Sequence, residues 1–383
     1  MKTVCEIDKC AGCMACIDVC PKGAISIKDN IKSYNTVIDE KLCINCNVCH
    51  AVCQANHPTE SVLPIKWYQG WAATEHIRSI GSSGGLATAL SKRFIEDGGV
   101  VWSCVFENGI FGFQQADAVE QLERFAGSKY VKSNPSGAYK AIRHDLTDGK
   151  KILFIGLPCQ VSSLKNFVGT KMQPKLYTVD LICHGSPSPR VLEIFLQQYG
   201  YSLSELEDIK FRKKTLYQLY CSSATTKDYR SIAATGTTDR YLISFLNCIS
   251  YTDNCYSCSY AKTERISDIT LGDSWGSNLS DIDQKKGISL ILCQTLKGVE
   301  LIERSELQLE NVNIKTAIER NYQLRAPSAK PKNRDFFIEG LQNGKNFNKL
   351  VKKIYPIQCY KQMLKKWLMR LHLMWGKMNS ICY

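Results

Sequence analysis

The pattern of apolar and polar positions changes at Pro64. Beyond this residue, segments with helical spacing alternate with short apolar runs that are typical of buried strands. The predicted elements are a helix over residues 84–97 and strands over residues 100–105, 151–155 and 175–182. Because helices and strands alternate, we predict an α/β layer architecture for the body of the chain.

The first 64 residues contain cysteines at a repeated spacing. The pattern C-x2-C-x2-C-x3-C occurs twice, as Cys10, Cys13, Cys16 and Cys20 and again as Cys43, Cys46, Cys49 and Cys53. In such runs three cysteines bind one cubane and the fourth binds the other cluster. We therefore predict two 4Fe-4S clusters, with Cys53 completing the first and Cys20 the second. Zinc ribbons, the alternative, have two C-x2-C pairs separated by a longer loop.

Composition and charge narrow the classes of function. Nineteen of the 383 residues are cysteines, and nine of these lie within the first 53 residues. Disulfides would be spread more evenly and would accompany an export signal, so we predict a cytoplasmic protein.

The net charge is +13, but residues 341–383 hold nine Lys or Arg and no acid. Since the remainder carries only +4, we expect no nucleic-acid partner.

Residues 336–383 form a basic, amphipathic tail. Its apolar residues recur at helical spacing among the basic ones: Met363, Leu364, Trp367, Leu368, Leu371 and Trp375. Such a helix can pack on the protein's own body, lie peripherally on the inner face of an anionic membrane, or bind a partner redox subunit. We favour packing on the body, and the other two interpretations stay open.

Four cysteines of the body suggest a third site. Cys159 and Cys183 follow two of the predicted strands, at the edge where open α/β sheets bind ligands. Cys255 and Cys258 form another C-x2-C pair, which cannot hold a cubane alone. These four could bind a third 4Fe-4S cluster. Alternatively, the first two are small buried residues and the pair is a redox or zinc site, and spacing alone does not decide.

Five motifs, in this order, resemble the coenzyme F420 hydrogenase/dehydrogenase beta-subunit family. They are Ser83-Gly84-Gly85, residues 127–133 (GSKYVKS), residues 156–160 (GLPCQ), residues 183–187 (CHGSP), and residues 255–258 (CYSC) followed by residues 265–276 (RISDITLGDSWG). The segment before them resembles a bacterial-type two-cluster ferredoxin, except that Gln54 replaces the proline after the second run.

The resemblance implies an oxidoreductase that carries FAD and one 4Fe-4S cluster in its body. The family's cluster ligands correspond to Cys159, Cys183, Cys255 and Cys258. For FAD we predict contacts from Ser82, Ser83, Gly84, Gly85, Lys129, Tyr130 and Ser133. The implied reaction passes electrons between a carrier (coenzyme F420, ferredoxin or another), the flavin and the clusters. We assign no catalytic residue, because hydride transfer to a flavin needs no acid–base pair.

The resemblance also divides the chain. The expected parts are an α+β ferredoxin-like module (1–64), an α/β flavin-binding domain made of an N-terminal-like region (65–150) and a C-terminal-like region (151–335), and the tail (336–383). Two other functions stay open: a non-enzymatic electron-transfer or docking subunit of a larger redox complex, and an iron–sulfur redox sensor.

Several residues near these motifs receive other predictions. We expect Cys5 to have a packing role and hold Cys248 as a substitute cluster ligand. Cys104, Cys221 and Cys293 are predicted to be ordinary core or surface thiols. Lys129 and Lys132 could equally lie on a solvated face, and the run from Asp268 to Trp275 is expected to form a turn beside the third cluster, without a catalytic role.

Overall fold

The computed structural model describes residues 2–223, 226–232 and 236–371. Its strands are β1 (Ile25–Asp29), β2 (Tyr34–Ile38), β3 (Lys66–Ala72), β4 (Val100–Glu107), β5 (Ile110–Ala116), β6 (Ile152–Gly156), β7 (Leu176–Leu181), β8 (Leu206–Lys213), β9 (Leu216–Ser223), β10 (Thr226–Ser231), β11 (Ile269–Asp273), β12 (Ser289–Cys293) and β13 (Leu307–Glu310). Its helices are α1 (Ala15–Val19), α2 (Val48–Ala51), α3 (Glu75–Ile80), α4 (Leu86–Glu96), α5 (Ala138–Thr147), α6 (Pro158–Val168), α7 (Pro189–Gln197), α8 (Arg240–Leu246), α9 (Asp281–Lys286), α10 (Leu296–Arg304), α11 (Ile314–Arg320), α12 (Arg334–Gln342), α13 (Phe347–Ile354) and α14 (Pro356–Arg370).

The N-terminal module pairs β1 with β2 as an antiparallel hairpin, and its two short helices each contain the third cysteine of one run, Cys16 in α1 and Cys49 in α2. Gly12, in the loop between Cys10 and Cys13, has a φ of 67°, and a Cβ there would lie 2.6 Å from the Tyr34 carbonyl oxygen. Only glycine fits this close approach. The ferredoxin-like α+β module predicted for this part of the chain is confirmed.

The body is built on an eight-stranded mixed sheet with the order β13-β3-β12-β11-β7-β6-β4-β5. Its four central strands, β11, β7, β6 and β4, are mutually parallel, and the remaining pairings are antiparallel. The apolar runs of β6 and β12, which both lie inside the sheet, are fully buried. The predicted α/β architecture is confirmed, and residues on both sides of position 150 share this one sheet.

Part of the run from Asp268 to Trp275 is a strand, β11, and not the expected turn. Arg265, just before it, forms a buried ion pair with Asp180 of β7 at 2.9 Å. The Asp268 carboxylate accepts hydrogen bonds from the backbone N–H and hydroxyl of Thr178, each at 2.8 Å. This motif therefore fixes the register between β11 and β7.

The helices after residue 333 continue the body. A second apolar core is formed by strands β8 and β9 of the antiparallel sheet β10-β9-β8 with α7, α8, α12 and α13. Phe337 of α12 and Phe347 of α13 are fully buried in it. The expected boundary between residues 335 and 336 thus falls within a packed helix, α12, because the apolar faces of α12 and α13 complete this core.

Candidate electron-transfer site

The first group of cysteines, which we call the inner set, consists of Cys10, Cys13, Cys16 and Cys53. The last three are only 7–8% exposed. Burial, together with the nearby Cys10 and Cys53, raises the pKa of Cys13 to about 12. Metal ligation needs the thiolate form, so a cluster that binds here would displace the thiol protons.

The second group, the outer set, consists of Cys20, Cys43, Cys46 and Cys49. These residues line one cavity of about 40 Å³ near the surface. Cys46 is exposed, and the neighbouring Ile44 is 56% exposed. The structure therefore groups Cys20 with the second run and Cys53 with the first, as the spacing predicts, and cluster binding by these thiols stays a prediction.

Cys5 has a more specific place than packing alone. Its partly buried thiol hydrogen-bonds with the sulfurs of Cys10 and Cys53. The bond from Cys5 is the largest cause that lowers the pKa of Cys10 to about 6 and that of Cys53 to about 7. A protonated Cys5 therefore favours the thiolate form of two inner-set residues.

The third group, the body set, consists of Cys159, Cys183, Cys255 and Cys258, and it surrounds a cavity of about 230 Å³. Cys159 lies in the first turn of α6, directly after β6, and Cys183 follows the adjacent parallel strand β7. The carboxyl ends of these strands bring the two together. Cys255 and Cys258 lie in a loop that is distant in sequence. Asp253 of this loop forms an ion pair with the buried Arg334 at 2.9 Å.

Four cysteine sulfurs around one cavity are the donor set of a 4Fe-4S cluster, so the body set fits such a group. Burial raises the pKa of Cys183 to about 12, with Cys255 and Cys258 as further causes. Cys248 does not line this cavity. It lies beside Tyr251 and Ser328, whose hydrogen bonds oppose the rise that burial causes in its pKa.

The inner set lies directly against the body. The Tyr139 hydroxyl donates to the Cys13 carbonyl oxygen at 2.8 Å, and the Asp18 carboxylate accepts from the backbone N–H groups of Gly137 and Tyr139, at the start of α5. Gln54, which replaces the motif proline, is buried and accepts a hydrogen bond from Tyr260. Gln54, the residue at which this chain departs from the ferredoxin pattern, therefore contacts the body.

A larger cavity of about 290 Å³ lies beyond the body set. Its wall includes the glycine-rich turn before α4 and the start of that helix, which has no side-chain cap. Free N–H groups at a helix start attract anions such as a pyrophosphate. The volume is close to the lower end of small-molecule sites, roughly 300 to 1,000 Å³. These features fit the phosphate and ring of a flavin nucleotide.

Six of the seven residues predicted to contact FAD line this cavity: Ser82, Ser83, Gly85, Lys129, Tyr130 and Ser133. Gly84 does not. Its N–H donates to the Ser289 hydroxyl at 3.0 Å, and a Cβ there would lie 2.5 Å from the Gly70 carbonyl oxygen. Gly84 therefore packs the turn onto the sheet. The contacts with FAD stay a prediction.

Lys129 and Lys132 are not on a solvated face. Lys129 is half-buried in the cavity wall, where its Nζ donates to the carbonyl oxygens of Phe125 and Ala126. Lys132 is buried, with 5% exposure, and lines the body-set cavity. The solvated alternative is wrong for Lys132 because its side chain points inward between two modules.

The sequence reasoning missed a basic group in the larger cavity. Arg212 of β8 forms a two-point ion pair with Asp273 at 2.7 and 3.2 Å, and its guanidinium lies 4.9 Å from the Tyr217 ring centre. Burial by itself lowers the pKa of Arg212, but Asp273 and the tyrosines outweigh it, so the pKa is raised. Asp273 and Trp275 thus line this cavity rather than the body set.

The two cavities share a wall. Both are lined by Leu157 and by residues 183–186, which include Cys183 and His184. Burial lowers the pKa of His184, so the neutral imidazole is favoured there. Cys104 of β4 also lines the larger cavity, whereas Cys221 and Cys293 are buried strand residues, as predicted. Leu157 and residues 183–186 would therefore separate a ligand in the larger cavity from the body set.

The tail helix α14 packs by one face only. Cys359 is buried, and the Gln362 side chain accepts from the Thr238 backbone N–H at 3.0 Å. The opposite face exposes large apolar residues: Ile357, Tyr360, Met363, Leu364, Trp367 and Leu371. The favoured packing on the body therefore holds for the face that bears Cys359 and Gln362, whereas most of the predicted apolar stripe is exposed. Trp375 lies outside the described residues. Among the described residues, none of the helices combines the length and the hydrophobicity that a bilayer span requires.

Comparisons with known proteins agree with this arrangement. Residues 149–316 match the family model for the C terminus of the coenzyme F420 hydrogenase/dehydrogenase beta subunit, and residues 9–57 match that of the 4Fe-4S dicluster domain. The coenzyme F420-dependent sulfite reductase of Methanocaldococcus jannaschii is 25% identical over 338 residues, which are 82% of this chain and 48% of that protein.

Two further similar proteins have the same coenzyme in their names. The F(420)H(2) dehydrogenase of Methanosarcina mazei has a component, its F subunit, that is 24% identical over 195 residues, 47% of this chain and 54% of that component. The chain thus spans about half the length of both relatives. A chain of the F420-reducing [NiFe] hydrogenase complex from Methanosarcina barkeri aligns with a TM-score of 0.43 and 16% identity, over 68% of this chain and 91% of that one. Over residues 149–316 the chain is thus similar to the coenzyme F420 hydrogenase/dehydrogenase beta-subunit family, and over residues 9–57 it is similar to the 4Fe-4S dicluster domain.

Proposed function

We propose that this chain is an iron–sulfur flavoprotein oxidoreductase that links a two-electron carrier, coenzyme F420 or a similar reductant, to one-electron carriers. The observation that supports this most is the order of the sites. The larger cavity shares a wall with the body set, the body set adjoins the inner set through Lys132 and Ala11, and the outer set reaches the surface.

The proposal assigns three 4Fe-4S clusters to the inner, outer and body sets and FAD to the larger cavity. A bound flavin accepts a hydride as two electrons and one proton and releases the electrons singly, which suits clusters that take one electron each. The start of α4 and the turn at Ser82 and Ser83 would hold the nucleotide phosphates. Arg212 and Trp275 would border the bound carrier, and Leu157 with residues 183–186 would keep bulk water from the body set.

Iron and flavin content of anaerobically purified protein test this function. We expect about twelve iron atoms and one FAD per chain. The variant Cys258→Ser should lose about four iron atoms while keeping both ferredoxin signals, because the body set alone loses a ligand. The matched variant Cys248→Ser should keep all of the iron. About eight iron atoms without flavin in the unaltered protein would overturn the proposal and favour the docking subunit.

We also propose that the exposed face of α14 lies on an anionic membrane surface. The large exposed apolar residues share one face of the helix, with Trp367 58% exposed. Lys361 and Lys365 flank this face on one side, and Lys366 and Arg370 flank it on the other, as expected from 3.6 residues per turn. Basic flanks around a Trp- and Leu-containing face are typical of helices that lie in the lipid interface.

Flotation of the full-length protein with vesicles tests the membrane contact. We expect binding to phosphatidylserine-containing vesicles, little binding to neutral vesicles, and loss of binding in Leu364→Glu. The control Leu296→Glu changes another exposed leucine, on α10. Equal vesicle binding of the two variants would overturn the proposed membrane contact. So would the finding that α14 binds only a soluble protein.

A further inference from the structure

A lysine ammonium group is buried at the junction of the two redox modules. Lys132 belongs to the body, and its backbone N–H donates to the Pro187 carbonyl oxygen at 2.9 Å. Its Nζ donates to the Ala11 carbonyl oxygen at 2.8 Å, within the loop between Cys10 and Cys13. The side chain therefore spans from the segment after Cys183 to the inner-set loop.

Among the residues that the structure describes, this ammonium group forms no ion pair with a carboxylate. Lys132 lines the body-set cavity together with the four cysteines of that set. A buried cation is costly without an anionic neighbour, so thiolates that bind a cluster in this cavity would supply its countercharge.

We propose that Lys132 is a positioning residue of the relay: its fixed positive charge raises the reduction potentials of the clusters on the body and inner sets, and its hydrogen bond holds the inner-set loop against the body. This inference rests on the proposed function. A cubane with four thiolates is an anion and gains one more negative charge on reduction, so a nearby cation stabilises the reduced form.

The geometry predicts that the effect is local. Lys132 contacts the inner-set loop through Ala11 and lines the body-set cavity, whereas it does not line the cavity of the outer set. The outer set therefore serves as a reference within the same molecule.

Three variants of the full-length, cluster-loaded protein separate charge from hydrogen bonding. Lys132→Met removes both, Lys132→Gln retains a neutral donor, and Lys132→Arg retains the charge. Lys165→Met is the control, because Lys165 is a largely buried lysine whose main charged neighbours are Asp268, Lys297 and Asp180. Redox titration followed by electron paramagnetic resonance measures each cluster.

We expect Lys132→Met and Lys132→Gln to shift the body-set and inner-set potentials to more negative values, with the outer-set potential unchanged. Lys132→Arg should stay near the unaltered protein, and Lys165→Met should not shift any of them. If Lys132→Met loses its clusters, Lys132→Gln decides the outcome. Unaltered potentials in a fully loaded Lys132→Gln protein would overturn the inference.

The control measurement on the unaltered protein separates this inference from the proposed function. If that protein lacks a third cluster, the function itself fails, whatever the variants show. If three clusters are present and their potentials do not respond to Lys132, only the role of Lys132 fails.

Discussion

The inner and outer sets have the same cysteine spacing and lie in opposite environments. The inner set is covered by the body, whose Tyr139 and Tyr260 donate hydrogen bonds to Cys13 and to Gln54, the residue after Cys53. The outer set borders the surface, with Cys46 exposed and Leu42 52% exposed beside it. Local spacing therefore groups the cysteines of each set, and packing against the body selects the set that would exchange electrons with the interior under the proposed function.

The largest difference should follow from losing one ligand in each set. Cys16→Ser should remove the inner cluster and stop electron flow from the body to an external carrier, because the proposed order of sites places the inner set between the body set and the outer set. Cys46→Ser should remove only the outer cluster and leave electron transfer from the body to the inner set intact. Iron content and stopped-flow reduction of each cluster measure this, and full turnover in Cys16→Ser would contradict the proposed order.

Removal of iron should also distinguish the sets. A chelator reaches exposed thiolates first, so the outer cluster should disappear before the inner one during slow chelation under anaerobic conditions. Time-resolved electron paramagnetic resonance at a fixed chelator concentration follows both signals. Simultaneous loss of both would show that the body does not protect the inner set.

A smaller effect is expected at the contact between the modules. Asp18, which is buried, caps the start of the body helix α5 through Gly137 and Tyr139. Asp18→Ala should lower the free energy of unfolding by about 1 to 2 kcal/mol, because two N–H groups lose their acceptor. Urea denaturation measures it. The exposed Asp8→Ala serves as the control, and equal stabilities of the two variants would argue against the cap.

The smallest change in stability is expected at the outer surface. Ile44→Asp replaces an exposed apolar residue, so stability should stay within about 0.5 kcal/mol. If one-electron carriers bind beside the outer set, the KM for such a carrier should rise while kcat changes little. Ile7→Asp, another exposed isoleucine of the module, should leave both constants unchanged. An unchanged KM in Ile44→Asp would place the exchange site elsewhere.

Much of the site follows from local spacing, and the rest depends on distant contacts. The two cysteine runs and the strands before Cys159 and Cys183 were predictable, because ligand spacing and apolar runs are properties of adjacent residues. Arg212 and Asp273 were missed, since they lie 61 residues apart and meet only in the folded chain. The interpretation of Lys132 as solvated failed for the same reason, because its surroundings come from both modules.

The sequence by itself determined the α/β body, the ferredoxin-like module, the grouping of the eight N-terminal cysteines and the amphipathic face of α14. Only the tertiary structure decided that the inner set faces the body, that three separated segments assemble the body set, and that Lys132 is buried between them. The physical reason is that periodicity and ligand spacing act over a few residues. Burial and countercharge depend on which distant surfaces pack together, and short-range patterns do not encode this.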